Sequence, residues 1–288
     1  MFNKRIVKFT QIEGYSEYVK DKKSMKGTGM TYKFLAVIGS CILSIFTFGC
    51  VSERIHLQIP NGKKIDNIYF GTSGAEMRPA VLILPGASGL RTSWKSEYRY
   101  FARWLNKKYN FNVLVTDYRA NSNVEVENIV RQHGMKTFVE QEVATALDYL
   151  RKQESVDKEK IGLIGFSLGT LLSVMTASRE DTVRVLVFVS LFTSSRDRIM
   201  FERFPDAATR PILFIASSGD YIVRSGENAD KIALYWSSNA KSDTKVEIVE
   251  GDLHSVDLIR GENRLKNMIG DWLDKYLVRD AELKNVGM

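Results

Sequence analysis

Residues Ile161 to Thr170 read I-G-L-I-G-F-S-L-G-T, and the fold turns on how that stretch is read. A short apolar run, Ile161 to Ile164, leads into Gly165-Phe166-Ser167-Leu168-Gly169, and a helical pattern from Leu168 to Ala177 leads out. A G-x-S-x-G pentapeptide arises by chance in roughly one chain in ten of this size, so the bare motif says little. Its setting says more. Strand, sharp turn and helix in immediate succession hold a serine at a strained backbone position with its hydroxyl clear of the sheet. Glycines two before and two after that serine serve the turn sterically, because strand and helix approach too closely there for side chains. Ser167 is therefore a candidate nucleophile.

The chain has 288 residues, 44% hydrophobic and 26% charged, a composition that suits a globular protein with a sizeable core. Its net charge of +7 invites a nucleic-acid or membrane reading until the charge is located. Residues 1–33 hold eight Lys/Arg and three Asp/Glu, a net of +5, which leaves 33 against 31 for everything after. Basicity thus belongs to the leader. The folded part lacks the electrostatic footprint of nucleic-acid binding, and no nucleic-acid partner is expected. Both cysteines, Cys41 and Cys50, lie in one apolar stretch, so the body has no disulfide and no cysteine metal site. Three histidines, His56, His133 and His254, supply a metal centre poorly.

Phe34 to Ser52 carries no charge and follows Lys33. That length barely spans a bilayer and also fits a signal-peptide core behind a positive leader. Its end, Gly49-Cys50 before polar residues, resembles a bacterial lipoprotein signal, in which the cysteine is lipidated. Cys50 is the expected attachment site. Cys41 has the better local pattern but would leave too short an apolar core, and an uncleaved single-span anchor is the alternative. A start at Met25 or Met30 would give a conventional leader. The expected organisation is a basic leader or upstream extension over 1–33, a hydrophobic signal or anchor over 34–50, and one domain over 54–280. Such a protein would sit at the cell envelope, its domain outside the cytoplasm and held to the membrane by its N-terminal lipid or apolar segment.

After Ser52 the pattern becomes β-like. Arg54 to Ile59 alternates, Pro60-Asn61-Gly62 is a turn, and Ile65 to Phe70 gives a second strand, so the domain opens on a β-hairpin. Ala80 to Leu84 is a continuous apolar run of the kind a strand covered on both faces needs. The aromatic and basic stretch Trp94 to Tyr109 could be a stacking platform for single strands. At helical spacing, however, Trp94, Tyr98, Phe101 and Leu105 share one face and Arg99, Arg103 and Asn106 the other, which predicts a core-facing helix. Strands at Asn112 to Thr116, Ile161 to Ile164, Val183 to Val189, Ile212 to Ala216 and Lys245 to Val249 follow. Helices are expected at Thr137 to Lys152, Leu168 to Ala177, Gly226 to Ser237 and Asn263 to Leu277. Strand and helix in turn predict an α/β fold: a doubly wound, mostly parallel sheet with helices on both faces. The connection Leu191 to Arg210 leaves room for little or no lid.

A serine hydroxyl needs a base to take its proton and an acid to orient that base. In a doubly wound sheet such groups collect at the carboxyl ends of strands. Three loops there carry the required types: Ser167 after the Ile161 strand, Asp220 in S-S-G-D-Y-I-V (217–223) after the Ile212 strand, and His254 in E-G-D-L-H (250–254) after the Lys245 strand. Asp252 and Asp257 compete for the acid's place but lie close to His254 in sequence. His56 reads as a solvent-facing strand residue, His133 as a loop surface residue, and Asp117 as a loop anchor.

The order Ser, Asp, His, the single elbow, the Gly219 to Val223 stretch and the late histidine resemble the α/β-hydrolases over about 54–278. The small, lidless size is similar to the dienelactone hydrolase and carboxylesterase branch. That resemblance implies catalysis by Ser167, His254 and Asp220, with an oxyanion hole made by the amides of Ala87 and Leu168. Family members often read His-Gly after the third strand, where this chain has Pro85-Gly86; backbone N–H groups act there, so the departure is tolerable. Dienelactone hydrolases proper use a cysteine nucleophile, and Ser167 points to the esterase side.

The expectation is thus a serine hydrolase cleaving a small-molecule acyl ester, with no cofactor and no metal. Peptidase, thioesterase or acyltransferase chemistry on the same machinery, or a non-catalytic surface-anchored binding module, are the alternatives. Trp94, Tyr118, Phe166, Phe192 and Tyr221 are candidates for an acyl pocket.

Overall fold

The computed structural model describes residues 52–87, 89–90, 95–117, 139–192, 199–222 and 226–280. Cys50 and Cys41, the leader and apolar segments, and Trp94, Tyr118 and His133 lie outside the described residues. The hairpin is β1 (Ser52–Gln58) and β2 (Lys64–Phe70), followed by β3 (Arg78–Leu84), α1 (Lys95–Tyr109) and β4 (Asn112–Thr116). A π-wound turn, Val139–Val143, then runs into α2 (Ala144–Arg151). Next come β5 (Val156–Phe166), α3 (Leu168–Ala177), β6 (Val183–Val189), α4 (Met200–Arg203) and β7 (Ile212–Ser217). The chain continues through a small ribbon of β8 (Tyr221–Ile222) and β9 (Glu227–Asn228), then α5 (Ala229–Ser238), β10 (Thr244–Val249), α6 (Val256–Ile259) and α7 (Asn263–Asp274).

Eight strands form one sheet in the order β1-β2-β4-β3-β5-β6-β7-β10. Only β2 runs against the others: it pairs antiparallel with both β1 and β4, and every remaining pairing is parallel. The strand order reverses at β3, which lies between β4 and β5. Open α/β sheets bind their ligands at such a switch, beyond the carboxyl ends of the strands.

The apolar runs are continuous because both faces are covered. Along β3, Ala80, Leu82 and Leu84 pack into one layer with α2, α3 and α5, while Val81 and Ile83 pack into the other with α1, α6 and α7. Every residue of α3 is buried, its polar Thr170, Ser173 and Thr176 included, so this helix is covered around its whole circumference. Phe166, expected as a pocket wall, is instead fully buried in the second layer, with its ring edge-on to Tyr98 and Phe101.

Several boundaries move. β5 begins at Val156, before its apolar run, because Val156 pairs with Arg78; the register with β3 then shifts between Arg78 and Ala80, so Asp157 to Lys160 form an irregularity before Ile161 pairs with Ala80. Asn106 is buried rather than on the outer face of α1. Its amide donates to the carbonyls of Phe70, Gly71 and Phe111, so a polar side chain ties the helix to the strand ends beneath it. Of the helix expected over Thr137 to Lys152, the described part opens with the π-wound turn Val139–Val143, since one turn of apolar spacing does not separate 3.6 residues from a wider winding.

That turn carries Glu142 inside. Its Oε2 has no hydrogen-bond partner among the described residues, and burial pushes the carboxyl up to about 7, against a smaller pull downward from Lys63. An acid whose folded pKa exceeds its unfolded value near 4.5 holds its proton more tightly when folded. Stability is then greatest below that lower value, falls as pH rises to about 7, and is flat beyond. Glu142→Gln is expected to gain about 2 kcal/mol on the wild type between pH 5 and pH 8, read by urea unfolding. An unchanged difference at the two pH values would rule out the buried ionisation.

Candidate active site

At the end of β5 the chain turns so sharply that Ser167 adopts φ 50° and ψ −117°. Its amide donates to the Val189 carbonyl (3.0 Å), and its own carbonyl accepts from the Thr170 amide (2.9 Å) and hydroxyl (2.7 Å). The flanking glycines are required by contact. A Cβ on Gly165 would lie 2.6 Å from the Gly169 carbonyl oxygen, and one on Gly169 would lie 2.1 Å from that of Leu84. Strand β5, helix α3 and the loop after β3 are therefore pressed together by backbone alone.

Asp220 and His254 come from loops after β7 and β10, neighbours in the sheet, which are stitched to each other. The Ser218 and Gly219 amides donate to the carbonyls of Val249 (2.9 Å) and Gly251 (2.7 Å), and the Ser217 hydroxyl to that of Leu253 (2.8 Å). The result is a direct contact: His254 Nδ1 lies 2.9 Å and 2.8 Å from the two Asp220 carboxylate oxygens. A carboxylate only accepts, so Nδ1 carries the proton and Nε2 is left as the basic nitrogen. The Asp220 side chain is 6% exposed and that of His254 36%, so the carboxylate is enclosed while the imidazole reaches solvent.

The loop after β3 closes the site. A Cβ on Gly86 would lie 3.2 Å from Ser167 Cβ and 3.4 Å from Ser255 Oγ, so the serine, the residue after the histidine and this loop meet at one point. Among the described residues no hydrogen bond joins Ser167 to His254, and their loops approach through Gly86 and Ser255. Ala87 is partly buried on this loop against the first layer. Leu168, the first residue of α3, is buried, and its amide has no intrahelical acceptor.

Behind these loops stands Tyr98 of α1. Its hydroxyl accepts from the Gly86 amide (3.2 Å) and shares a hydrogen bond with Ser255 Oγ (3.2 Å), and burial pushes the phenol up to about 12. The Ser255 amide in turn donates to Ser190 Oγ (2.8 Å) at the end of β6. Four described non-glycine residues have positive φ, and three of them are Ser167, Ser190 and Ser255. Backbone strain of this kind persists where surrounding contacts over-determine it, and here it gathers at one rim of the sheet.

The other candidates fall elsewhere. His56 is exposed on β1 with Nδ1 2.7 Å from Asp66. Asp117 is buried after β4, its amide donating to the Asp66 carbonyl (2.9 Å). Asp252 is exposed, and Asp257 approaches Arg260 at 3.9 Å. Tyr221 is mostly exposed and Phe192 partly buried. Among the described residues no group of three or more His, Cys, Asp or Glu could hold a metal ion. Tyr98, Ser190 and Ser255 were not legible as site residues. Tyr98 reads as core by its helical spacing, and nothing in the pattern says where its hydroxyl points.

A mostly parallel, doubly wound sheet with a strained serine between strand and helix, and a histidine–carboxylate pair on the same rim, defines the α/β-hydrolases. Residues 65–257 match the dienelactone hydrolase family, and the chain belongs to it. Its fold is similar to a dienelactone hydrolase from Anabaena variabilis, at TM-score 0.62 and 17% identity over 79% of this chain and 99% of that one. It is similar too to an esterase from Pyrococcus furiosus, at TM-score 0.56 and 16% identity over 79% and 91%. In sequence, the protein bem46 from Schizosaccharomyces pombe is 26% identical over 155 residues, 53% of this chain and 48% of that protein. The chain thus spans about half the length of that relative.

Proposed function

We propose that this hydrolase cleaves carboxylic esters through an acyl-enzyme formed on Ser167. His254 Nε2 takes the Ser167 hydroxyl proton as the oxygen attacks the ester carbonyl, and the carbonyl electrons move onto an oxyanion held by the Ala87 and Leu168 amides. As the C–O bond breaks, the same proton passes to the departing alcohol. Water then attacks the acyl group, with His254 again as base, and releases the acid. Asp220 holds the imidazole in orientation and stabilises its charged form. The observation that carries this reading is the His254–Asp220 contact on the rim where Ser167 is held in its strained turn. Tyr221 and Leu253, both about half-exposed beside Asp220 and His254, give that rim an apolar side suited to a short acyl group. The test is turnover of short p-nitrophenyl esters together with labelling by a fluorophosphonate. Wild type is expected to do both and Ser167→Ala neither, with kcat down by a factor on the order of 10⁴ or more. Ester turnover that survives the substitution would refute the assignment.

Tyr98 acts through others: it joins the oxyanion loop to the residue beside His254. Tyr98→Phe keeps the ring edge-on to Phe166 but releases Gly86 and Ser255. The expected outcome is a roughly tenfold loss in kcat with KM little changed, because the displaced groups matter most when charge develops. A proportional change in KM alone would assign Tyr98 to packing only.

A further inference from the structure

Beyond the loop that carries His254 and Ser255, α1, α6 and α7 meet around a surface cleft of about 470 Å³. Its floor is apolar, formed by Phe101, Val256 and Ile259, each no more than 2% exposed. Its walls are charged. Lys266 lines it while being only 4% exposed as a residue, and its ammonium lies 5.2 Å from the centre of the Tyr100 ring. Among the described residues that ammonium makes no ion pair and no hydrogen bond. The neighbouring charges do not serve it. Glu97 faces Arg260 Nε at 3.5 Å and Asp257 faces Arg260 Nη1 at 3.9 Å, so both carboxylates are engaged by the arginine at the rim. The cleft also opens at Asn263, where α7 begins and its backbone dipole favours negative charge.

A cation withdrawn from water without a counter-charge is costly, and an aromatic face offsets only part of that cost. We propose that the cleft is a second binding site, for a small monocarboxylate with an aryl or alkyl body. The carboxylate pairs with Lys266 beside the Tyr100 ring, and the body covers Phe101, Val256 and Ile259. One unmatched positive charge over an apolar floor suits a monoanion with a hydrophobic part better than a strongly hydrated dianion.

The test is calorimetric titration of the full chain with sodium benzoate at low ionic strength. Wild type is expected to bind saturably, Lys266→Met at least tenfold more weakly, and Tyr100→Ala several-fold more weakly. Lys158→Met, exposed on β5, is expected to bind as wild type, and inorganic phosphate to compete poorly. Methionine keeps most of the lysine stem, and Tyr100 is largely exposed, so the second variant keeps the test open if the first fails to fold. Benzoate binding that is indifferent to both substitutions, or displaced equally well by phosphate, would overturn the proposal. Binding is read without ester turnover, so the result is independent of the role given to Ser167.

Discussion

Asp220→Asn is expected to lower kcat for ester turnover by about 10³ to 10⁴ while leaving the fold intact. The two side chains are nearly isosteric, and the loop is held by contacts the substitution spares, among them the Ala229 amide on the Asp220 carbonyl (2.8 Å). What changes is the proton. A carboxylate 2.8 Å from His254 Nδ1 requires a donor there, whereas an asparagine amide can present its own N–H and accept the other tautomer. Nε2 would then carry hydrogen and could not take one from Ser167. The measurement is kcat beside a thermal melt: a large loss of rate with Tm within a few degrees of wild type is the expected pair. Activity within tenfold of wild type would mean that another acid orients His254. Asp252 is exposed and Asp257 faces Arg260, so neither replaces it readily.

Gly169→Ala is expected to damage both stability and activity. The new methyl would lie 2.1 Å from the Leu84 carbonyl oxygen and 2.8 Å from that of Pro85, both backbone atoms with no rotamer to change. Either α3 or the loop after β3 must move. Overpacking against rigid surroundings costs about 3 kcal/mol, and a displacement of even 1 Å in the loop proposed to carry an oxyanion donor is expected to cost on the order of 10² in rate. Chemical denaturation and steady-state kinetics together read both effects. A fully stable, fully active variant would show that α3 and this loop do not press together as described.

The parts of the structure that were legible in the sequence are those written in periodicity and in glycine. Runs such as Ala80 to Leu84 and Val183 to Val189 announce strands covered on two faces, and the alternation of such runs with amphipathic stretches announces the layers. Gly165 and Gly169 mark a close approach because no other residue fits there. Polar side chains that turn inward are invisible to such patterns. Asn112, buried at the start of β4, accepts from the Tyr69 hydroxyl (3.1 Å) and the Thr72 amide (3.0 Å) and donates to the Ser155 carbonyl (2.8 Å), yet in sequence it is one asparagine before an apolar run. Asn106 and Tyr98 escape notice for the same reason: spacing places a residue on a face, and the partner of its polar tip lies far away in the chain. The positive φ values of Ser190 and Ser255 carry no composition signal at all, since glycine would ordinarily be expected there.

The single reversed strand has a geometric consequence. Because β2 alone is antiparallel, β1 points the same way as the parallel strands, and Ser52 lies at the edge of the sheet where those strands begin. Ser167, Asp220 and His254 lie at the edge where they finish, roughly 20 Å away for strands of about six residues. The chain therefore enters the domain at the edge of the sheet opposite the one that carries Ser167, Asp220 and His254.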